Sequence, residues 1–184
     1  MAGDAGEWTS LQLIDLPEAV QRTTGPLPAG IRLRTVDLSA DLERIADLYN
    51  TAFSLEGADV ITSALVAQFT WHPGLHLAGA FLALYGQRVV GLGVGSVEVP
   101  VAGGRVRRGA VELLAVHPGH QRQGIGRALL HAVLGWLSGL GVSVVEASAQ
   151  DAGPLTMLQR YGFVPVSPEQ NREGAGPKKP EQQR

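Results

Sequence analysis

The chain contains no cysteine, which excludes a disulfide framework, a thiolate nucleophile and a cysteine-based metal site. Its formal charge is only −2 at pH 7, so composition gives no reason to expect nucleic acid or an acidic membrane surface as partner. No apolar run is long enough to span a membrane, and the opening residues MAGDAGEWTS lack the basic and apolar regions of a secretory signal. A soluble cytoplasmic protein is therefore expected. No internal repeat and no Walker string G-x-x-x-x-G-K-[ST] occurs. Nothing pairs the histidines as metal ligands, and no metal is expected.

Glycine, by contrast, is abundant. The 184 residues read as one domain with a real core, and the 24 glycines imply many turns and close backbone approaches. Residues 1–30 read as an N-terminal extension and linker, with a candidate strand at Thr9–Leu16 whose Leu11 and Leu13 share a face. A half-exposed strand follows at Ile31–Val36. Ser39 can cap a helix over residues 40–53, with Asp41 and Glu43 at its positive end. A looser helix covers about Asp59–Phe69. Phe81–Tyr85 and Arg88–Val99 form a hairpin across Gly86-Gln87. In its second strand Gly91, Gly93 and Gly95 recur at period two, a bare face against which a helix or a ligand must pack closely. Strand Arg107–Val116, helix Gly124–Leu140 and strand Val142–Ser148 then make a right-handed crossover unit on a mixed sheet. A short helix Pro154–Tyr161 and a last strand Gly162–Val166 close a domain over residues 31–166. Residues 167–184 read as a disordered polar tail.

The chemistry concentrates in Leu113–Leu134, LLAVHPGHQRQGIGRALLHAVL. An apolar strand stops at His117-Pro118-Gly119, a polar loop follows from Gln121 to Gly126, and an amphipathic helix begins near Arg127. The first N–H groups of a helix lack intrahelical partners and lie at the positive end of its dipole. Glycines let such a backbone approach an anion, so the loop reads as a pyrophosphate site. It is not a dinucleotide fingerprint: Gly124-Ile125-Gly126 meets Leu129 where G-x-G-x-x-G needs a third glycine.

Gln121-Arg122-Gln123-Gly124-Ile125-Gly126, preceded by LLAVHP and followed by RALL, closely resembles the acetyl-CoA motif [QR]-x-x-G-x-[GA] of the GCN5-related N-acetyltransferases (GNAT). Val144-Val145-Glu146-Ala147 and Leu158–Phe163 resemble that family's next strand and its helix ending in Gly-Phe, so the likeness covers roughly residues 31–166. The resemblance implies an α/β fold with a mixed, splayed central sheet in a three-layer α-β-α arrangement. It also implies acetyl-CoA as co-substrate and a small-molecule or protein amine as acceptor. The pyrophosphate would meet the loop from Gln121 and Arg122 through Gln123, Gly124, Ile125 and Gly126 to Arg127. The pantetheine arm would pair like an extra strand with Leu114, Ala115 and Val116, and a backbone N–H near Val116 would face the oxyanion. Asp151 stands where the family commonly has an asparagine at the start of a helix; it can still cap that helix.

Acyl transfer to an amine requires removal of a proton from the amine, a stabilised oxyanion and a protonated leaving thiolate. Two carboxylates, Glu112 and Glu146, stand in otherwise apolar strands, where burial would flag each as a candidate base. Glu146 lies sixteen residues before Gly162, a spacing that resembles the ribosomal-protein alanine N-acetyltransferases, in which the glutamate at this place is the base. The alternative is a carboxylate paired with Arg107 or Arg108. The family's general-acid tyrosine position holds Leu158; Tyr161, one turn later, is the remaining candidate acid unless it faces the core. His117 and His120 read as solvated residues flanking the loop and His131 as helix surface. Trp71, His72 and His76 read as bordering the acceptor, and the Arg105-Arg107-Arg108 run as an exposed face. The competing reading is a non-catalytic acyl-CoA-binding or regulatory module.

Relatives usually follow Gly-Phe with two strands, the last inserted beside the strand at Val142–Ser148. Here only the polar tail follows Val166. Unpaired sheet edges in the interior are costly, so Thr9–Leu16 is expected to fill the gap, in cis or from the partner of a homodimer.

Overall fold

The computed structural model describes residues 8–22, 25–55, 57–69, 75–98 and 108–166. In chain order the elements are β1 (Thr9–Leu13), α1 (Leu16–Arg22), β2 (Ile31–Thr35), α2 (Leu38–Ala52), α3 (Ser63–Phe69), β3 (Leu75–Tyr85), β4 (Arg88–Val97), β5 (Arg108–Val116), α4 (Ile125–Gly139), β6 (Val144–Ala149), α5 (Ala152–Arg160) and β7 (Val164–Pro165). They build a seven-stranded sheet in the order β2-β3-β4-β5-β6-β1-β7. The β5–β6 pair is parallel and the others are antiparallel. Among the described residues no helix is long and apolar enough to cross a membrane.

Strand β1 sits in cis between β6 and β7. It pairs with β6 from Thr9↔Ala149 to Leu13↔Val145, and with β7 at Leu11↔Pro165 and Gln12↔Val164. The strand ends at Leu13 instead of Leu16, and the chain turns at Ile14-Asp15 into α1. Residues read as linker thus form a helix, because Leu16 and Ala19 bury themselves with Leu130, Leu134 and Leu137 of α4. Tertiary burial overrides a weak local pattern there.

The bare glycine face of β4 receives α4. A Cβ at Gly91 would lie 2.8 Å from Leu129, and one at Gly95 would lie 2.7 Å from Val133. The opposite face of β4, through Leu92 and Val94, packs with Ile45 and Leu48 of α2. The sheet is therefore sandwiched, with α2 on one side and α4, α1 and α5 on the other.

Helix α2 starts differently from expectation. Asp37, not Ser39, is the N-cap, and its side chain accepts the Ser39 N–H. Asp41 is fully buried instead of decorating the helix end. Its carboxylate accepts both Arg34 guanidinium nitrogens, at 2.6 and 2.7 Å, and the Asp37 N–H at 2.8 Å. Those bonds, the Arg34 bond first, hold its carboxyl below the ordinary carboxylate range against the opposing effect of burial.

Candidate functional site

Two regions meet along β5. The first is the loop between β5 and α4. His117 caps a 3₁₀ turn at Pro118–His120, its Nδ1 accepting the Gly119 N–H. Arg122 then takes a left-handed conformation with φ 61°, and Gly124 follows at φ 87°. Left-handed backbone at a non-glycine residue is sparsely populated and marks a loop whose geometry is held by its surroundings. Gly124 is the N-cap of α4 and supplies no side-chain cap. The first-turn N–H groups of Ile125, Gly126 and Arg127 are therefore left open. Among the described residues no acceptor claims the N–H groups of Arg122, Gln123 or Gly124 either. Six successive donors at the positive end of a fifteen-residue helix form an anion cradle. Gly126 belongs to it for a reason other than packing: a Cβ there would lie 3.7 Å from Val116 and 3.8 Å from Met157, ordinary contact distances. Among the described residues nothing demands a bare backbone at that point.

The second region is the gap between β5 and β6. Their parallel ladder runs only from Arg108↔Val144 to Val111↔Ala147. Past it, β6 continues against β1, while β5 continues against β4. A register shift between Val94 and Gly95 leaves Glu112 as the extra residue of a bulge in β5. The His117 N–H donates to Val90 of β4. By strand alternation Leu114 and Val116 then turn their N–H and C=O groups away from β4, toward the gap. The Val116 carbonyl accepts the Gln121 side-chain amide at 3.1 Å, which ties the loop back onto this edge.

On the sheet face bearing α2, beyond that helix, a cleft of about 370 Å³ lies over β4, β5 and β6. Glu112 and Glu146 both line it, together with Ser96, Ala110, Ser148 and Trp8. Neither carboxylate is buried as the apolar strands suggested. Glu112 is exposed because the bulge turns it out, and it accepts the Ser96 hydroxyl. The Glu146 side chain is 35% exposed. Its Oε1 accepts Nε2 of Gln12 at 3.1 Å and a guanidinium nitrogen of Arg108 at 3.1 Å. Arg108 is one of the two arginines anticipated as its partner. Gln12, Ser96 and Trp8 went unforeseen: each gains meaning only once β1 pairs with β6 and β4 pairs with β5.

Other candidates fall elsewhere. Tyr161 is buried, and its hydroxyl donates to the Arg127 carbonyl at 3.1 Å. It anchors α5 to the first turn of α4 and is not among the residues that line the cleft. Leu158 is core. Asp151 occupies the N-cap position of α5, but its side chain makes no cap hydrogen bond. His131 is half-buried rather than on the surface, with Nδ1 unpartnered. His117 and His120 stack edge-on beside the loop, their rings 5.7 Å apart. Trp71, His72, Arg105 and Arg107 lie outside the described residues, as does the side chain of His76. Among the described residues no group of three or more acidic or histidine side chains could hold a metal ion.

Residues 42–163 match the Acetyltransferase (GNAT) family. No curated protein matches the chain. Among solved structures, the fold is similar to a GCN5-related N-acetyltransferase from Sphaerobacter thermophilus, at 20% identity and TM-score 0.64 over 86% of this chain and 48% of that one. The chain thus spans about half the length of that protein. It is also similar to an aminoglycoside acetyltransferase from an uncultured soil metagenomic sample, solved with sisomicin, at 20% identity and TM-score 0.58 over 72% and 87% of the two chains. A third likeness is to the ribosomal-protein-S18-alanine N-acetyltransferase of Escherichia coli, at 19% identity and TM-score 0.57 over 74% and 79%.

Proposed function

Because the chain belongs to the GNAT family of acetyltransferases, we propose that it is an acetyl-CoA-dependent N-acetyltransferase acting on a primary amine of a small molecule or protein. The observation that carries this reading is the run of unclaimed N–H groups from Arg122 to Arg127 beside the open edge of β5. A diphosphate satisfies those donors and meets the helix dipole. Leu114, with its N–H and C=O turned outward, can pair with the amides of the pantetheine arm, Ala115 holds that edge to Leu92 of β4, and the Val116 N–H on the same edge is kept for the acyl oxygen. The co-substrate, once bound, supplies the acetyl group as an activated thioester.

The chain's own residues then provide the remaining parts of the chemistry. The amine nitrogen attacks the thioester carbonyl, forming a C–N bond. The Val116 N–H, free on the β6 side, donates to the oxygen that gains charge. Glu146, directly or through a water, removes the proton from the attacking nitrogen; Glu112 lines the same cleft and is the alternative base. The C–S bond breaks, and the thiolate takes its proton from water, since Leu158 is core and the Tyr161 hydroxyl is committed to Arg127. Holding both reactants in one cleft supplies much of the acceleration by proximity.

That commitment of Tyr161 is also what favours a second reading, a non-catalytic acyl-CoA-binding or regulatory module on the same fold. One experiment tests what the readings share and a second separates them. Saturable binding of acetyl-CoA in a calorimeter is expected under both. Thiol release from acetyl-CoA in the presence of a panel of amines is expected only for the enzyme, and a panel with no turnover would leave the binding module. The similar structures include one named for aminoglycosides and one named for a ribosomal-protein alanine. The panel therefore spans aminoglycosides, polyamines and alanine-terminated peptides.

A further inference from the structure

Strand β1 occupies the inner place in the sheet between β6 and β7, and it brings one polar side chain to the cleft carboxylate. Along Thr9–Leu13 the buried residues are Leu11 and Leu13, which face the α4 side with Val145 and Ala147. Gln12 between them turns to the other face, where it lies directly across from Glu146 in the ladder. Its amide donates to Oε1 of Glu146, and so does Arg108 from the far side of β6. Both donors thus converge on one oxygen. Among the described residues Oε2 accepts no bond, and the carboxylate lines the cleft. Ala110, the β5 residue paired with Glu146, adds only a methyl group to the cleft floor, so the free oxygen is not walled off by its neighbour.

We infer that Gln12 is a positioning residue: with Arg108 it clamps Oε1 of Glu146 and thereby fixes Oε2 as the proton-accepting oxygen. A carboxylate on an exposed strand position would otherwise sample several χ rotamers. Two donors on one oxygen select one of them, and a proton acceptor held within a narrow geometry is worth a large factor in rate. Arg108 alone does not suffice, because a single contact from one side leaves the carboxylate free to swing about it. The N-terminal segment thereby becomes part of the active site as well as a filler of the sheet. This inference rests on the reading of Glu146 as base.

The test uses the full-length chain and thiol release from acetyl-CoA, with ethanolamine, spermidine, kanamycin and an alanine-terminated peptide as acceptors and a blank without amine. Four proteins are compared with the wild type: Gln12→Met, Gln12→Lys, Glu146→Gln and the double variant Gln12→Met/Glu146→Gln. Gln12→Met keeps length and removes the donor; kcat is expected to fall about tenfold, the scale of a lost hydrogen bond to a charged group, while KM for acetyl-CoA stays unchanged. Gln12→Lys restores a donor and is expected to recover most of the rate. The double variant is expected to be no slower than Glu146→Gln, because Gln12 acts only through that carboxylate. An inactive Glu146→Gln with a fully active Gln12→Met overturns the positioning role and leaves the base intact. A fully active Glu146→Gln, or a wild type inactive toward every acceptor and the blank, overturns the base reading and the inference with it. Should Gln12→Met fail to fold, Arg108→Met gives the same comparison from the other side of the clamp. A tenfold loss there supports the clamp, and an unchanged kcat overturns it.

Discussion

The glycine loop after β5 and the carboxylate-lined cleft adjoin the same strand and are built in opposite ways. The loop is made of backbone: six N–H groups in consecutive residues, freed by a helix start and a left-handed turn. The cleft is made of side chains delivered by β4, β5 and β6, with Gln12 of β1 reaching Glu146 from 134 positions away in the chain. A backbone site needs only local sequence, because dihedral preferences and helix termination decide it. A side-chain site needs the whole sheet in register before any of its members meet. Binding and proton transfer are therefore expected to respond to different mutations, and to be separable.

The scaffold away from both regions sets the control. Asp41→Asn leaves the partly exposed Arg34 guanidinium beside a neutral amide and weakens the buried acceptor at the start of α2, and is expected to cost about 2 kcal/mol in chemical denaturation. Acetyl-CoA affinity per folded molecule should not change. The same group gives a pH signature. Because its folded pKa is depressed, its contribution is complete above the unfolded value near 4 and is lost as pH falls through the lower folded value. The wild type should therefore lose stability more steeply in acid than Asp41→Asn. Equal slopes would remove the pair from the account of stability.

Within the cleft, Glu146→Gln is expected to lower kcat about a hundredfold, with unchanged acetyl-CoA affinity by calorimetry. A matching loss of affinity would break the separation of the two regions. The glycines sharpen it from the other side. Gly95→Val forces a side chain into Val133 of α4, where even a Cβ would lie at 2.7 Å, and is expected to cost about 2 kcal/mol of stability. Gly126→Asp meets only ordinary contact distances, and a carboxylate in the first turn of a helix is mildly stabilising. Its melting temperature should hold or rise. The same charge repels a bound diphosphate, and acetyl-CoA affinity should drop about tenfold. A fall in both quantities would mean that Gly126 serves packing after all.

The same division explains what was legible in the sequence. The strand ending at His117, the glycine loop and α4 were readable because each is a local pattern, and the period-two glycines announced a close helix without saying which. The fold itself followed from the motifs and their order. Helix α1 was not legible, since Leu16–Arg22 carries little pattern of its own and is held by α4. Tyr161 sits one helical turn from the family's acid position, yet only its buried hydroxyl bond to Arg127 shows that it is an anchor. Glu112 and Glu146 were recognisable as carboxylates out of place in apolar strands. Their exposure came from a bulge in β5 and from an uncovered stretch of sheet, neither of which leaves a mark in sequence. Gln12 looked like the polar half of an alternating strand and nothing more. It became a site residue through its register against Glu146.

The central claim is that the unclaimed donors of Arg122–Arg127 form an acetyl-CoA site. Calorimetric titration of the full-length chain with acetyl-CoA tests it most directly. The account predicts saturable one-site binding that is competed by free CoA and weakened in Gly126→Asp. Absence of saturable heat, or binding indifferent to Gly126→Asp, would contradict it.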